Sequence, residues 1–375
     1  MQSSQTKNNA VFFRIGPFPI PNKILAEELP KQFPGVNFIV IDVVKEIKKR
    51  PLVMVTNLLV SFMEYGDKII SRDFKIKDAF LGTTYIYWWI KRFTNKIITN
   101  ANPLFTFQSE SLWDVSKEGV PNFVYTDHTH LANLAYPSFK KSKLRPQKWI
   151  ELERIIYKNA STIFTRSSNI TKSLIEQYNT DNEKILKVGA GSNFNKLNLN
   201  YVKDDYEDKN ILFVGIDWLR KGGPDLVKAF EIVLKKHPDA KLTIVGATPD
   251  VNLPNCTIIP RIPVEEVSKY YEKASIFCLP TKQEPFGIVF IEALHYKLPI
   301  VATNIGAIPD FVKNNKNGYL VSPESPEELA EKLILLLDDP NLCKSMGENG
   351  FELARSFYNW EKVTERMAER IKSKY

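Results

Sequence analysis

The sequence predicts an α/β protein made of two Rossmann-like, doubly wound units. Three observations lead there. The chain has 375 residues, room for two domains of ordinary size, with 43% hydrophobic and 25% charged residues, the balance of a globular protein. A strand–helix–strand pattern opens the chain near residue 10, and a second one opens near residue 210. After each opening, short apolar runs alternate with segments of helical period, as in a parallel sheet covered by helices on both faces.

Ala10-Val11-Phe12-Phe13-Arg14-Ile15 is the first expected strand, stopped by Gly16 and Pro17. A helix over 22–32 and a strand over 37–42 complete the opening. Residues 51–100 are rich in aromatics, and Leu81, Tyr85, Trp88, Trp89 and Arg92 fall at helical spacing. Two readings stand for that stretch: helices packed into the core, or an amphipathic face beside basic residues that rests on a membrane. Strands are expected over 103–107 and 122–125. The second leads into Asp127-His128-Thr129-His130, and strand ends of an open parallel sheet are where ligands bind. Residues 149–159 read as a helix, 161–165 as a strand, and Ser167 or Ser168 as the cap of a helix to about 178. After a strand over 184–188 comes Gly189-Ala190-Gly191-Ser192-Asn193-Phe194. It lacks the third glycine and the following helix of a dinucleotide fingerprint, so an oxidoreductase is disfavoured. Residues 195–208, rich in Asn, Lys and Asp, read as a linker.

The second unit opens with a strand over 210–214 and the loop Gly215-Ile216-Asp217-Trp218-Leu219-Arg220-Lys221-Gly222-Gly223. A helix over 224–236 follows, with Pro224 in its first turn. A glycine-rich loop carrying a lysine before a helix suits a diphosphate, with Lys221 as a mobile point charge. A strand over 241–245, a helix over 264–273 and a buried strand over 275–280 continue the pattern. Ser325 with Glu328 forms a capping-box pattern before a helix over 326–337, and helices over 340–356 and 359–374 end the chain.

The net charge of +8 is concentrated in two N-terminal clusters: Lys45, Lys48, Lys49 and Arg50, then Lys140, Lys141, Lys143, Arg145 and Lys148. Such clusters attract anionic lipid or other polyanions, and they also occur as plain solvated faces. Cys256, Cys278 and Cys343 are odd in number and without a C-x-x-C pair, which fits a reducing compartment better than a disulfide framework or a zinc site. The polar start, 1–9, has no signal-peptide core, and the most apolar window, 79–90, is too short to span a bilayer. The expected location is cytoplasmic, with peripheral contact to the inner, anionic face of the membrane left open. Nucleic acid is not an expected partner.

The densest chemistry lies in Glu284-Pro285-Phe286-Gly287-Ile288-Val289-Phe290-Ile291-Glu292. Pro285 and Gly287 break the preceding strand and start a helix over 288–296. A helix start exposes unpaired N–H groups and a partial positive charge, which suits a phosphate. Glu292 lies roughly 8 Å further along the axis at ~1.5 Å per residue. A carboxylate on either side of an anion site fits a sugar, a diphosphate and a ribose in a row. A solvated turn with two ordinary acids is the plainer reading.

Glu284-x7-Glu292, followed by Leu298-Pro299-Ile300-Val301-Ala302-Thr303-Asn304-Ile305-Gly306-Ala307-Ile308-Pro309-Asp310 and Asn317-Gly318-Tyr319-Leu320-Val321, resembles the donor-binding half of the retaining glycosyltransferases of family 4. These are the glycosyl transferases group 1, with the GT-B fold. The resemblance runs over about 205–365, is traceable from 104 to 200, and is thin over 1–100. It implies two doubly wound domains facing across a cleft: 1–200 on the acceptor side, 205–357 for the nucleotide sugar, and a last helix, 358–375, crossing back to the first. It implies that Lys221 holds the diphosphate, Glu284 the donor-sugar hydroxyls and Glu292 the ribose, with Phe286, Gly287 and Ile288 around the phosphate. His128-Thr129 is similar to the family's His-Thr pair, whose histidine faces the donor sugar. The same resemblance brings in Gly16 at the first phosphate loop, Gly191 in the loop closing the first domain, and Arg261 near the base; Arg220 is read as the cation that stands in for the one missing at Ile216, and Asp127 as a candidate beside His128. The sequence departs from the family twice. Gly16 stands alone where a glycine pair is usual, and Ile216 stands where an arginine is usual.

The function implied is transfer of a hexosyl unit from a UDP- or GDP-sugar to a hydroxyl of a glycan, lipid or small metabolite, with retention. No cofactor is expected beyond that co-substrate. No metal is expected either, since the second domain shows no Asp-x-Asp pair and no His/Cys cluster. The alternative is a nucleotide-sugar-binding subunit of a glycan-assembly complex that performs no transfer. A glycosidase pair is not supported, because Glu284 and Glu292 flank a phosphate site in this reading and not a scissile bond.

Overall fold

The computed structural model describes residues 8–16, 20–194, 201–203 and 205–375. Contacts divide the chain into two units. One comprises residues up to 135, 139–189 and 360–375; the other comprises 136–138 and 190–359. Much of the expected linker, 195–200 and 204, lies outside the described residues, as do Pro17 and the start of the chain.

The first unit opens with β1 (Asn8–Arg14), α1 (Ile20–Glu28) and β2 (Val36–Asp42). Its helix is shorter than expected: Leu29–Gln32 is a 3-10 turn, because Pro30 has no N–H to continue the α pattern. Next come α2 (Val43–Lys48), α3 (Pro51–Ile70), α4 (Ile76–Phe80) and α5 (Thr84–Ala101). Then follow β3 (Phe105–Ser109), β4 (Asn122–Thr126), α6 (Gln147–Asn159), β5 (Thr162–Thr165), α7 (Ser168–Tyr178) and β6 (Ile185–Lys187). All pairings are parallel, in the order β2-β1-β3-β4-β5-β6. The central strands β3, β4 and β5 are buried along their length. Ser167 caps α7 by accepting from Ile170 N, and Asn179 ends it in the left-handed region.

The aromatic stretch is helical, and α5 turns Ile86, Tyr87 and Ile90 into the core. The residues at the noted spacing lie outside that core: Trp88 and Arg92 are exposed, and Leu81, Tyr85 and Trp89 are half-buried. A longer exposed apolar face is on α3, whose buried side chains are Asn57, Ser61 and Tyr65.

The second unit runs β7 (Asn210–Val214), α8 (Gly223–Lys236), β8 (Lys241–Val245) and β9 (Cys256–Ile259). It continues with α9 (Ser268–Lys273), β10 (Ile276–Leu279), α10 (Ile288–His295), β11 (Ile300–Thr303), α11 (Ile308–Phe311) and β12 (Gly318–Val321). Helices α12 (Pro326–Leu337) and α13 (Pro340–Ser356) close it. The parallel sheet has the order β12-β11-β10-β7-β8-β9, that of a dinucleotide-binding sheet. The expected helix over 264–273 starts only at Ser268, after a 3-10 turn behind Pro263. The expected capping box does not form, because Glu328 Oε2 accepts from Ser322 N at 2.8 Å and Ser325 makes no side-chain cap. The last helix, α14 (Trp360–Lys372), belongs to the first unit, where Arg366 donates to Val188 O at 2.7 Å.

Candidate functional site

In the second unit the site forms where the sheet changes winding direction. β7 and β10 are neighbours, yet the strands that follow each run to opposite sides, and the crevice outside such strand ends is the usual ligand site of an open α/β sheet. The loop after β7 ends in Lys221, and the loop after β10 carries Glu284. The two loops are stitched together. Lys282 N donates to Arg220 O at 2.8 Å, Arg220 Nη1 donates to Gln283 O at 2.8 Å, and Thr281 Oγ1 donates to Arg220 O at 3.2 Å. Behind them Lys221 Nζ donates to Glu284 Oε2, with 11% and 6% of the two side chains exposed. The sequence assigned both residues to a ligand; the structure pairs them with each other.

A cavity of about 650 Å³ opens at this point, lined among others by Lys221, Arg220, Ile216, Gly246, Arg261 and Glu292. Three loop cations therefore line one cavity with two carboxylates, Asp217 and Glu292. Glu284, Phe286, Gly287 and Ile288 are not among its lining residues. Phe286 is a core side chain packed edge-on against Phe311, so its ring is not available to a ligand. Gly287 is the cap of α10 with φ 97°, and a Cβ there would lie 2.5 Å from the Phe290 ring and 3.1 Å from Glu284 Cγ. The glycine thus sets where Glu284 sits.

Glu292 is buried and held from both sides: Asn193 Nδ2 donates to Oε1 at 3.0 Å and Tyr271 OH to Oε2 at 2.9 Å. Burial raises its pKa, against the pull of these two donors. Each carboxylate oxygen retains acceptor capacity for a hydroxyl in the cavity. Asn193 also lines the cavity, two residues after the buried Gly191. Sequence reading missed Asn193 and Tyr271; the Gly-Ala-Gly-Ser-Asn loop was the available signal for the first. Arg220 is further tied to Asp217 at 3.2 Å.

Gly222 positions the whole loop. Its φ is 75°, and a Cβ would meet Pro280 O at 1.8 Å. Gly222→Ala is expected to cost about 2–5 kcal/mol, from left-handed strain and overpacking against backbone. Denaturant unfolding of the variant reads this; a change below about 0.5 kcal/mol, the size of an ordinary surface substitution, would remove the steric argument.

In the first unit, the strand ends hold a second polar group. Arg166, 2% exposed, donates to Asp127 Oδ2 at 3.0 Å, to Glu110 Oε1 at 3.1 Å and to Asn22 Oδ1 at 3.3 Å, and lies over the Tyr125 ring. Neither Glu110 nor Arg166 was singled out from sequence. Glu110 is pushed up to about 8 by burial and the neighbouring Asp127 carboxylate, against Arg166. Asp127 is thus committed to an ion pair.

His128 is half-buried, its Nε2 within 3.1 Å of Asn133 Nδ2, which fixes the proton on Nδ1. Burial lowers its pKa. His130 accepts from Arg145 N at 2.7 Å through Nε2 and packs edge-on against Trp149; burial and Arg145 push it down to about 2, so it is a neutral structural residue. Gly16 lies just past β1, half-buried.

Residues 201–353 match the family model described as glycosyl transferases group 1. Among curated relatives, a glycosyltransferase of Haemophilus influenzae is 36% identical over 171 residues, 42% of this chain and 48% of that protein. The D-inositol 3-phosphate glycosyltransferase of Paenarthrobacter aurescens is 29% identical over 271 residues, 65% of each chain. The matched segments thus span between about half and two thirds of these relatives. A solved glycosyltransferase of Rickettsia africae superposes with a TM-score of 0.66 at 16% identity, covering 98% of both chains. Anabaena HepE, solved with UDP and glucose, gives a TM-score of 0.65 at 13% identity over 97% of this chain and 99% of that one. The fold is GT-B. The group 1 match falls on the unit that holds the Lys221 cavity.

Proposed function

We propose that the protein is a retaining glycosyltransferase that moves a hexosyl unit from a nucleotide-diphosphate sugar to an acceptor hydroxyl without a metal. The observation that carries this reading is the cavity at the β7–β10 switch, which Lys221, Arg220 and Glu292 line together, with Lys221 held by Glu284. In the proposed reaction the anomeric C–O bond to the diphosphate breaks as the acceptor oxygen attacks from the same face. The acceptor proton passes to the departing phosphate oxygen. Lys221, Arg220 and the start of α10 stabilise the charge that develops on that phosphate. Glu292 takes the ribose hydroxyls and Arg261 the base end, and Glu284 acts through the Lys221 it holds. The co-substrate is a UDP- or GDP-sugar. UDP in solved relatives such as HepE supports the first.

A thermal-shift screen of UDP-, GDP- and ADP-sugars tests this. A donor at ~100 times its Kd adds ~2.7 kcal/mol of stability, a clear rise in Tm. Slow release of the nucleotide diphosphate without acceptor, unchanged by EDTA, is expected for the enzyme. Stabilisation without any release would favour the non-catalytic subunit, which Ile216 in place of the family arginine motivates. No response to any nucleotide sugar would end both readings.

A further inference from the structure

The helix α3 is amphipathic the wrong way round for a soluble protein. Its buried side chains include Asn57, whose amide donates to Phe80 O at 2.7 Å, and Ser61, which donates to Asn57 O at 2.7 Å. Its exposed stripe is apolar: Leu52, Val55, Leu59, Phe62, Met63 and Ile70 recur at spacings of three, four and seven, and Leu52, Met63 and Ile70 are 83%, 84% and 83% exposed. The stripe spans roughly 27 Å at ~1.5 Å per residue. An exposed apolar patch of that length is a docking surface and not scatter.

Its surroundings are basic. Exposed Lys45, Lys48 and Lys49 precede the helix, with Lys49 sharing Glu46 with Arg50. Exposed Arg72, Lys75 and Lys77 follow it, interleaved with Asp73 and Asp78. A third group is brought alongside by tertiary structure: Lys68 Nζ donates to Ser142 O at 3.0 Å and to Leu144 O, which sets the loop bearing Lys140, Lys141 and Lys143 against the end of α3. Within the helix, Glu64 is occupied by Thr84 N at 3.0 Å. Among the described residues no helix is long and apolar enough to cross a membrane.

We infer that α3 docks the first unit onto an anionic bilayer, its apolar stripe lying in the interface plane and the flanking lysines meeting lipid phosphates. An apolar helix face framed by cations is the pattern of an interfacial helix. A second copy of the chain is the weaker occupant. Antiparallel α3 pairs would set the cluster before one helix against the clusters after the other, and both are positive. The inference rests on the first unit alone and is independent of the transfer reaction.

The test is flotation of the full chain with vesicles of phosphatidylcholine alone and of a two-to-one mixture with phosphatidylglycerol. Binding to the mixed vesicles, weakened by salt and by omission of phosphatidylglycerol, is expected. Leu59→Glu/Met63→Glu should lower it roughly tenfold or more while leaving the thermal melt and the nucleotide-sugar shift unchanged. Lys140→Glu/Lys141→Glu/Lys143→Glu should lower it through charge alone. Binding that ignores these variants, or binding as tight to pure phosphatidylcholine, would overturn the inference. So would absence of vesicle binding together with a concentration-dependent dimer that Leu59→Glu/Met63→Glu abolishes.

Discussion

Lys221→Ala is expected to lower turnover at least tenfold and to destabilise the second unit at the same time. The two effects have separate causes. Lys221 is the cavity cation closest to Glu284, and removing one preorganised contact to a leaving group typically costs ~2.7–4 kcal/mol of barrier. Removing it also leaves the Glu284 carboxylate buried without its partner, which typically costs about 3–5 kcal/mol of stability. The double variant Lys221→Ala/Glu284→Gln separates them, since it has no orphaned charge. It should recover most of the stability and none of the turnover, read as release of nucleotide diphosphate from the donor. Unchanged turnover in Lys221→Ala would take Lys221 out of the reaction. Turnover that returns in the double variant would mean that the loss came from unfolding.

The second unit was legible because its signals are local. A buried strand, a glycine loop with a lysine, and a proline-phenylalanine-glycine break before an apolar helix each declare themselves within ten residues or so. The helix start at Ile288 and the strand at Asn210–Val214 fall where the pattern put them. What local pattern could not supply was pairing across the fold. Nothing near Glu292 announces Asn193 or Tyr271, and nothing in either loop announces that Lys221 and Glu284 would meet. The first unit was harder for a different reason. Sequence reading assumes that the apolar face of a helix is the buried one, and α3 violates that, burying Asn57 and Ser61 beneath an exposed stripe. The aromatic spacing around Trp88 drew attention to α5, whose core side is Ile86, Tyr87, Ile90, Thr94 and Ile98 and not the residues at that spacing.

Arg166 illustrates the same limit and gives the largest stability effect expected in the first unit. Four segments bring Asn22, Glu110, Asp127 and Arg166 together at strand ends, with no sequence period connecting them. Arg166→Met would strand the Asp127 carboxylate, 25% exposed, and leave the protonated Glu110 side chain without its partner, and should cost about 3 kcal/mol. Five of the six tryptophans, at 88, 89, 113, 149 and 360, lie in this unit, so fluorescence during denaturation reports on it. Arg166→Met/Glu110→Gln/Asp127→Asn should regain most of the loss, and a loss below about 1 kcal/mol in the single variant would mean that the carboxylates find solvent without their arginine. Glu110 adds a pH signature. Its pKa is raised to about 8 in the folded protein, from an ordinary value of 4.5, so between those values the folded state holds a proton that the unfolded state has released. Its contribution to stability therefore falls as pH rises through that interval. Glu153, also raised by burial, acts in the same direction, so Glu153→Gln is measured beside Glu110→Gln to separate the two. Glu110→Gln should flatten the decline by at most about 1.4 kcal/mol per pH unit. A variant that declines as steeply as the parent would place the pH dependence elsewhere and mean that Glu110 is ionised beside Arg166 across that interval.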